Sequence, residues 1–280
     1  MAKVYDALKR AEEERRRQAG ESAVSAPSMV LEHPAAPPEK KRSSFWKRRG
    51  SRKGRRHSRS MADEINKRRI SLLQPDSYVA EQYRSLRGRI DAMAIDRPIK
   101  TIAITSPSPG EGKTTAAINL AAVTALSVGR RVLLVDCDLR RPQVHTTLGL
   151  NPENGLAEIL NGGVSLEEAI VKVEGIDLDV LGVRKKPDNP SELLGSSKMR
   201  DFVAEMANRY DRVILDTPAA LGLPDAKAIC AISDGTLLVA RAHNTSRRSL
   251  RATVDELDSR RVLGLLFNGI PRQRGQYGYE

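Results

Sequence analysis

The residues able to do chemistry fall in three short runs, each placed directly after a stretch of apolar, largely β-branched sequence. The first run is Thr105-Ser106-Pro107-Ser108-Pro109-Gly110-Glu111-Gly112-Lys113-Thr114-Thr115. The second is Asp136-Cys137-Asp138-Leu139-Arg140-Arg141-Pro142 and the third Asp216-Thr217-Pro218. Glycines let a backbone turn successive N–H groups toward phosphate oxygens, and a helix starting there adds its partial positive charge. In such a loop Lys113 reaches the β- and γ-phosphates and the Thr114 hydroxyl takes a place on Mg2+. The simple pattern G-x-x-x-x-G-K-[ST] asks for glycine at position 107, where this chain has Pro107. The order of strand, Gly-Lys-Thr-Thr and helix still points to binding of a nucleoside triphosphate. Asp136, Asp138 and Asp216 close two of the apolar runs. A Mg2+ on a triphosphate needs a few such carboxylates, with water completing its octahedron. If the strand persists past Asp136, then Asp136 and Asp138, two apart, share one side of it.

The elements that position these runs follow from hydrophobic pattern. Strands are expected at 100–105, 131–136, 176–183, 212–216, 235–240 and 262–267. Most lack in/out alternation, which reads as burial on both faces. Helices are expected between them, at about 112–128, 197–209, 224–231 and 246–259. An earlier helix carries Val79, Tyr83, Leu86, Ile90 and Met93 at spacings that share one face, with Asp76 or Ser77 as its cap. The class is α/β, a doubly wound, mostly parallel sheet, in which functional carboxylates collect at the C-terminal ends of the strands.

Charge is distributed unevenly. The 280 residues carry a formal net charge of +12, but residues 40–60 hold eleven Lys or Arg and no acid. The remainder from residue 61 onward is close to neutral, which argues against a nucleic-acid surface spread over the fold. Residues 1–18 read as a short helix, with Val4, Leu8 and Ala11 on a narrow stripe, and 19–74 as a flexible linker that is Pro- and Ser-rich and then basic. Order is expected over 75–280. The run at 40–60, with Phe45-Trp46 inside it, suits an anionic membrane surface. Two cysteines, Cys137 and Cys230, form no disulfide framework and suggest a reducing, cytoplasmic compartment. No apolar run approaches the ~20 residues of a membrane span, and the first residues lack the apolar core of a secretory signal.

With these residues in view, the chain resembles the cytoplasmic branch of the bacterial tyrosine kinases of exopolysaccharide and capsule systems. The resemblance rests on Pro109–Thr114, on Asp136-x-Asp138-Leu139-Arg140-x-Pro142 and on Asp216-Thr217-Pro218, and it covers roughly 75–280. It implies a P-loop NTPase that binds ATP and Mg2+ and transfers phosphate to tyrosine. Pro109, Gly110, Glu111, Gly112, Lys113, Thr114 and Thr115 would hold the nucleotide, and Asn268 would sit near the adenine. Thr114, Asp138 and Asp216 would hold the metal. Asp136 would be the base or acceptor for the incoming phenol, with the roles of Asp136 and Asp138 open to exchange, and Arg140 would lie near the active site. The resemblance further implies tyrosine acceptors at the C-terminus, here Tyr277 and Tyr279, phosphorylated by a neighbouring subunit. It assigns Glu81, Arg84 and Arg87 to contacts in a ring-like homo-oligomer. A membrane-spanning adaptor of the polysaccharide co-polymerase type is the implied partner, which would hold the protein at the inner face of the cell membrane. Two other functions keep the same nucleotide residues: a positioning ATPase and a nucleotide-dependent scaffold with little kinase activity. The positioning ATPases carry an extra lysine five residues before the loop lysine, where this chain has Ser108.

Overall fold

The structure is a computed structural model and describes residues 74–270. The expected N-terminal helix, nearly all of the linker, the basic run at 40–60 and the two acceptor tyrosines lie outside the described residues.

A seven-stranded sheet forms the centre. Its strands are β1 (Thr101–Thr105), β2 (Val132–Asp136), β3 (Ile170–Val173), β4 (Leu178–Leu181), β5 (Arg212–Asp216), β6 (Gly235–Arg241) and β7 (Val262–Asn268), in the order β3-β4-β2-β5-β1-β6-β7. All neighbours run parallel except β3, which pairs antiparallel with β4. β3 was not expected from the sequence. Three of its four residues are half-buried at the sheet edge and the fourth, Lys172, is exposed and interrupts the short apolar run. β1, β2 and β5 are buried at every position. Each divides its side chains between two cores by simple alternation. Ala103, Leu133, Val135, Val213 and Leu215 face one, and Ile102, Ile104, Val132, Leu134 and Ile214 face the other.

Helices cover both faces. On one side lie α1 (Tyr78–Met93), α2 (Lys113–Ala125) and the short α3 (Val144–Leu148). On the other lie α4 (Leu156–Leu160), α5 (Leu166–Ala169), α6 (Pro190–Gly195), α7 (Ser197–Arg209) and α8 (Pro224–Ile232), while α9 (Arg247–Glu256) precedes β7. α2 buries eleven of its thirteen residues, many of them alanine, so it lies directly on the sheet.

α1 differs from the expected stripe. Ala80, Tyr83 and Ile90 are its buried residues, whereas Val79 and Met93 are 37% and 44% exposed. Tyr83 and Ile90 join the core on the α2 side of the sheet, and Leu86 packs against its margin. Ser77 is the cap, its hydroxyl accepting the Ala80 N–H at 3.2 Å. Farther along, Asp91 accepts from Arg130 and from the buried Arg212, each at 2.8 Å, which fastens the helix to the start of β5.

Candidate active site

β1 delivers the chain into the phosphate loop, and two glycines make the turn. Gly110 and Gly112 have φ of 80° and 100°, in the left-handed region that side chains disfavour. A Cβ on Gly112 would stand 1.9 Å from Asn268 Nδ2, so glycine is required there on two counts. Asn268, at the end of β7, donates from Nδ2 to the Glu111 carbonyl at 3.0 Å and thereby fixes the loop from the side. The Glu111 side chain is 1% exposed. It accepts the Ser108 N–H at 3.0 Å and the Thr245 hydroxyl, so its carboxylate braces the loop and only its backbone is left for a phosphate. Lys113 opens α2 and is 8% exposed.

β2 and β5 are neighbours in a register that sets Asp136 opposite Asp216. The Thr114 hydroxyl donates to Asp216 Oδ2 at 2.7 Å. Asp216 Oδ1 is buried and has no hydrogen-bond partner. Burial pushes the Asp216 carboxyl up to about 7, against the opposing pull of the Thr114 hydroxyl and Lys113. A buried carboxylate oxygen without a donor is costly unless a cation meets it. The donor set, one hydroxyl and one carboxylate of hard oxygen, fits Mg2+ arriving with phosphates and water. Among the described residues no group of three His, Cys, Asp or Glu is placed to hold a metal ion.

Asp136 is engaged differently from the expectation. It is fully buried, and its Oδ1 accepts the Asp138 N–H at 3.1 Å. Its Oδ2 accepts the N–H groups of Gln143 and Val144, both at 3.0 Å. Three of its roughly four acceptor positions thus hold the turn after β2, and one position on Oδ1 stays open. Burial, followed by the nearby Asp216, holds its carboxyl well above the ordinary range. The strand ends at Asp136, so the two aspartates do not share a strand face. Asp138 lies in the turn, half-buried, and accepts the Arg141 N–H at 3.0 Å. Burial raises its carboxyl too, while Lys113 and Arg141 pull the other way.

The Glu81, Arg84 and Arg87 helix is less free than the sequence suggested. Arg84 pairs with Glu81 and donates to the Pro75 carbonyl at 2.6 Å. Arg87 reaches the Val123 carbonyl at 2.6 Å and the Ser127 hydroxyl, and so caps the C-terminal end of α2. Only Glu81, with 62% of its side chain exposed, stands clear of the domain. Sequence reasoning missed three residues that complete the site's surroundings. Thr245 meets Glu111, and Ser191 and Asp225 meet Arg140. Ser-Glu and Pro-Asp at helix starts read as ordinary capping, so nothing in the pattern marked them.

Comparison with known proteins decides among the functions this geometry admits. A family model described as an AAA domain matches residues 99–260. The tyrosine-protein kinase YwqD of Bacillus subtilis is 38% identical over 213 residues, which are 75% of this chain and 90% of that protein. The chain belongs to the bacterial tyrosine kinases. The kinase domain of Escherichia coli tyrosine kinase ETK matches the kinase with a TM-score of 0.68 at 31% identity, covering 75% of this chain and 84% of that one. The tyrosine-protein kinase ptk of Acinetobacter johnsonii is 35% identical over 212 residues, but these are 28% of its length, so the chain spans less than a third of that longer relative. The kinase is a nucleotide-binding P-loop protein with a doubly wound sheet, as the sequence indicated. No helix among its described residues is long and apolar enough to cross a membrane.

Proposed function

We propose that the kinase is a Mg·ATP-dependent autokinase that phosphorylates Tyr277 and Tyr279 of a neighbouring copy, in the service of exopolysaccharide or capsule synthesis or export. The observation that carries the reading is the Thr114–Asp216 pair, with the Asp216 Oδ1 atom buried and unpartnered at the end of β5. Phosphoryl transfer is mainly positioning and charge neutralisation. Lys113 and the backbone of Pro109–Thr115 hold the phosphates. Mg2+, held by Thr114 and Asp216 with Asp138 near, supplies neutralisation of the phosphate charge. Asp138, the less buried of the two, takes the part of acceptor for the phenol proton, while Asp136 accepts three backbone N–H groups of the turn. A phenol of pKa about 10 is protonated at neutral pH and gains from a carboxylate that accepts its hydrogen bond.

The tail reading is supported by elimination among the six tyrosines of the chain. Tyr83 and Tyr210 are 7% and 4% exposed, and burial raises the pKa of both phenols. Tyr78, Tyr5 and the tail pair remain as acceptors, and the family resemblance selects the tail. Transfer between copies needs an assembly, for which Glu81, paired with Arg84 yet 62% exposed, is the outward contact on α1. The basic run at 40–60 and a membrane-spanning adaptor would hold this assembly at the inner face of the cell membrane. Purified protein incubated with Mg·ATP and mapped by mass spectrometry tests the reading. Phosphate is expected on Tyr277 and Tyr279, and Lys113→Met should abolish it. Phosphotyrosine that persists in Lys113→Met, or its absence from the wild type, refutes autokinase function. The scaffold and positioning ATPase readings predict the second of these results.

A further inference from the structure

Arg140 is gripped in an unusual way for a residue at the mouth of a site. Its Nε donates to Asp225 Oδ2 at 2.7 Å and its Nη2 to the Ser191 hydroxyl at 2.8 Å. The Ser191 hydroxyl in turn donates to Asp225 Oδ1 at 2.5 Å, closing a three-membered network. Asp225 is 1% exposed, in the first turn of α8, and Ser191 stands in the first turn of α6. The Arg140 side chain as a whole is 39% exposed. Only its Nε/Nη2 edge is used, and among the described residues no protein group is bonded to Nη1. A guanidinium held by one edge presents its other end in a fixed plane, the arrangement suited to an oxyanion. Its location is set by the turn after β2. Arg140 follows Asp138 by two residues there, and the strand end before it, Asp136, lies in register with Asp216. Arg140 therefore borders the end of the sheet that carries Asp138 and Asp216.

We propose that Arg140, held by the positioning residues Asp225 and Ser191, binds an oxyanion carried by the acceptor segment next to the tyrosine being phosphorylated. Two sources share this chemistry: the carboxylate of Glu280, which follows Tyr279, and a phosphoryl group already placed on the neighbouring tyrosine of the Tyr277-Gly278-Tyr279 run. The inference rests on the tail being the acceptor.

The test uses full-length protein with Mg·ADP and three fluorescent, C-terminally amidated peptides. These are Gly-Gln-Tyr-Gly-Tyr-Glu, the same sequence ending in Gln, and the Gln version with phosphate on its second tyrosine. Anisotropy should show the charged peptides binding about tenfold tighter than the neutral one, the scale of one charge-assisted hydrogen-bond pair. Preference for the first peptide alone identifies the carboxylate, and for the third alone the phosphoryl group. In Asp225→Asn and in Ser191→Ala the preference should shrink to about twofold with Mg·ADP affinity unchanged. Arg140→Lys, which keeps the charge but loses the fork, should also lose most of it. Ser191→Ala keeps the test alive if Asp225→Asn does not fold. Equal affinity for all three peptides in the wild type overturns the proposal. So does a preference that survives in Ser191→Ala and Arg140→Lys, which would leave the network a purely structural tie. If charge preference is present but Mg·ATP transfers no phosphate to any peptide, the tail reading falls and the anion site stands.

Discussion

Lys113, Thr114 and Asp216 make up the proposed phosphate half of the site, and Arg140, Ser191 and Asp225 its proposed acceptor half. Each half contains a nearly buried carboxylate, but the two are treated differently. Asp225 is neutralised by Arg140 within the fold and receives a second hydrogen bond from Ser191. Asp216 receives a single neutral hydroxyl, leaves one oxygen without a partner, and has its carboxyl pushed up to about 7. The acceptor half is complete as folded, whereas the phosphate half is left short of positive charge until a cation arrives. A protein that must bind and release Mg·nucleotide repeatedly needs that shortfall, because a site already neutral would gain little from the metal.

The sharpest way to break this contrast is to remove the two carboxylates in turn. Asp216→Asn should lower Mg-dependent ATP affinity at least about a hundredfold, read with a fluorescent nucleotide, since it takes a charged ligand from the metal. In metal-free protein the same change should not lower the melting temperature. Asp225→Asn should do the reverse, lowering the melting temperature while leaving nucleotide affinity in place, because it strands a paired cation. Matching effects of the two variants on stability would dissolve the distinction.

Acidity probes the same shortfall. The carboxyls of Asp136, Asp138 and Asp216 all titrate above their ordinary value of 3.8 in the fold, that of Asp216 at about 7. Between about pH 4 and 7 the metal-free folded protein then holds protons that the unfolded chain has released. Stability should fall as pH rises through that window, and denaturant midpoints at pH 5 and 7.5 should show it. Saturating Mg·ATP should flatten the slope, because the metal takes the place of the proton.

Gly112→Ala tests the loop's clamp. Left-handed backbone costs an alanine about 1–2 kcal/mol, and the new Cβ would stand 1.9 Å from Asn268 Nδ2. Nucleotide affinity should fall about tenfold. Adding Asn268→Ala should recover part of it, leaving the backbone term. Smaller again, Arg87→Ala should cost about 1 kcal/mol of stability through the lost cap on α2 and leave ATP binding intact. Size-exclusion chromatography of that variant asks whether Arg87 has any second role between subunits. Ser77→Ala, at the start of α1, should cost about 1 kcal/mol or less, without effect on either half of the site.

Much of the phosphate half could be read from the sequence because its residues are the last of a buried strand or the first of a helix. Asp216 ends β5 and Lys113 begins α2, so an apolar run followed by a polar residue marks each position. The five strands from β1 to β6 other than β3 were legible for the same reason: burial on both faces leaves continuous apolar sequence. The edge strand β7 is half-solvated but has seven residues and was legible, whereas β3, four residues with exposed Lys172 among them, and the burial face of α1 were not. The engagement of Asp136 could not be read either. Its Oδ2 meets the N–H groups of Gln143 and Val144 only because the chain returns there. Arg140, Ser191 and Asp225 come from a turn and two helix starts, and no periodicity connects them.

β7 ends at Asn268, the residue whose amide lies against the phosphate loop. Everything after it is therefore tethered at the rim of the nucleotide site. From Ile270 to Tyr279 is nine residues, at most about 30 Å of chain. A tyrosine confined to that radius is present at a local concentration on the order of 10 mM around its own nucleotide site. Once two copies are side by side, dilution would no longer change how often a tail meets a site. The rate would report which copies are assembled rather than how many are in solution.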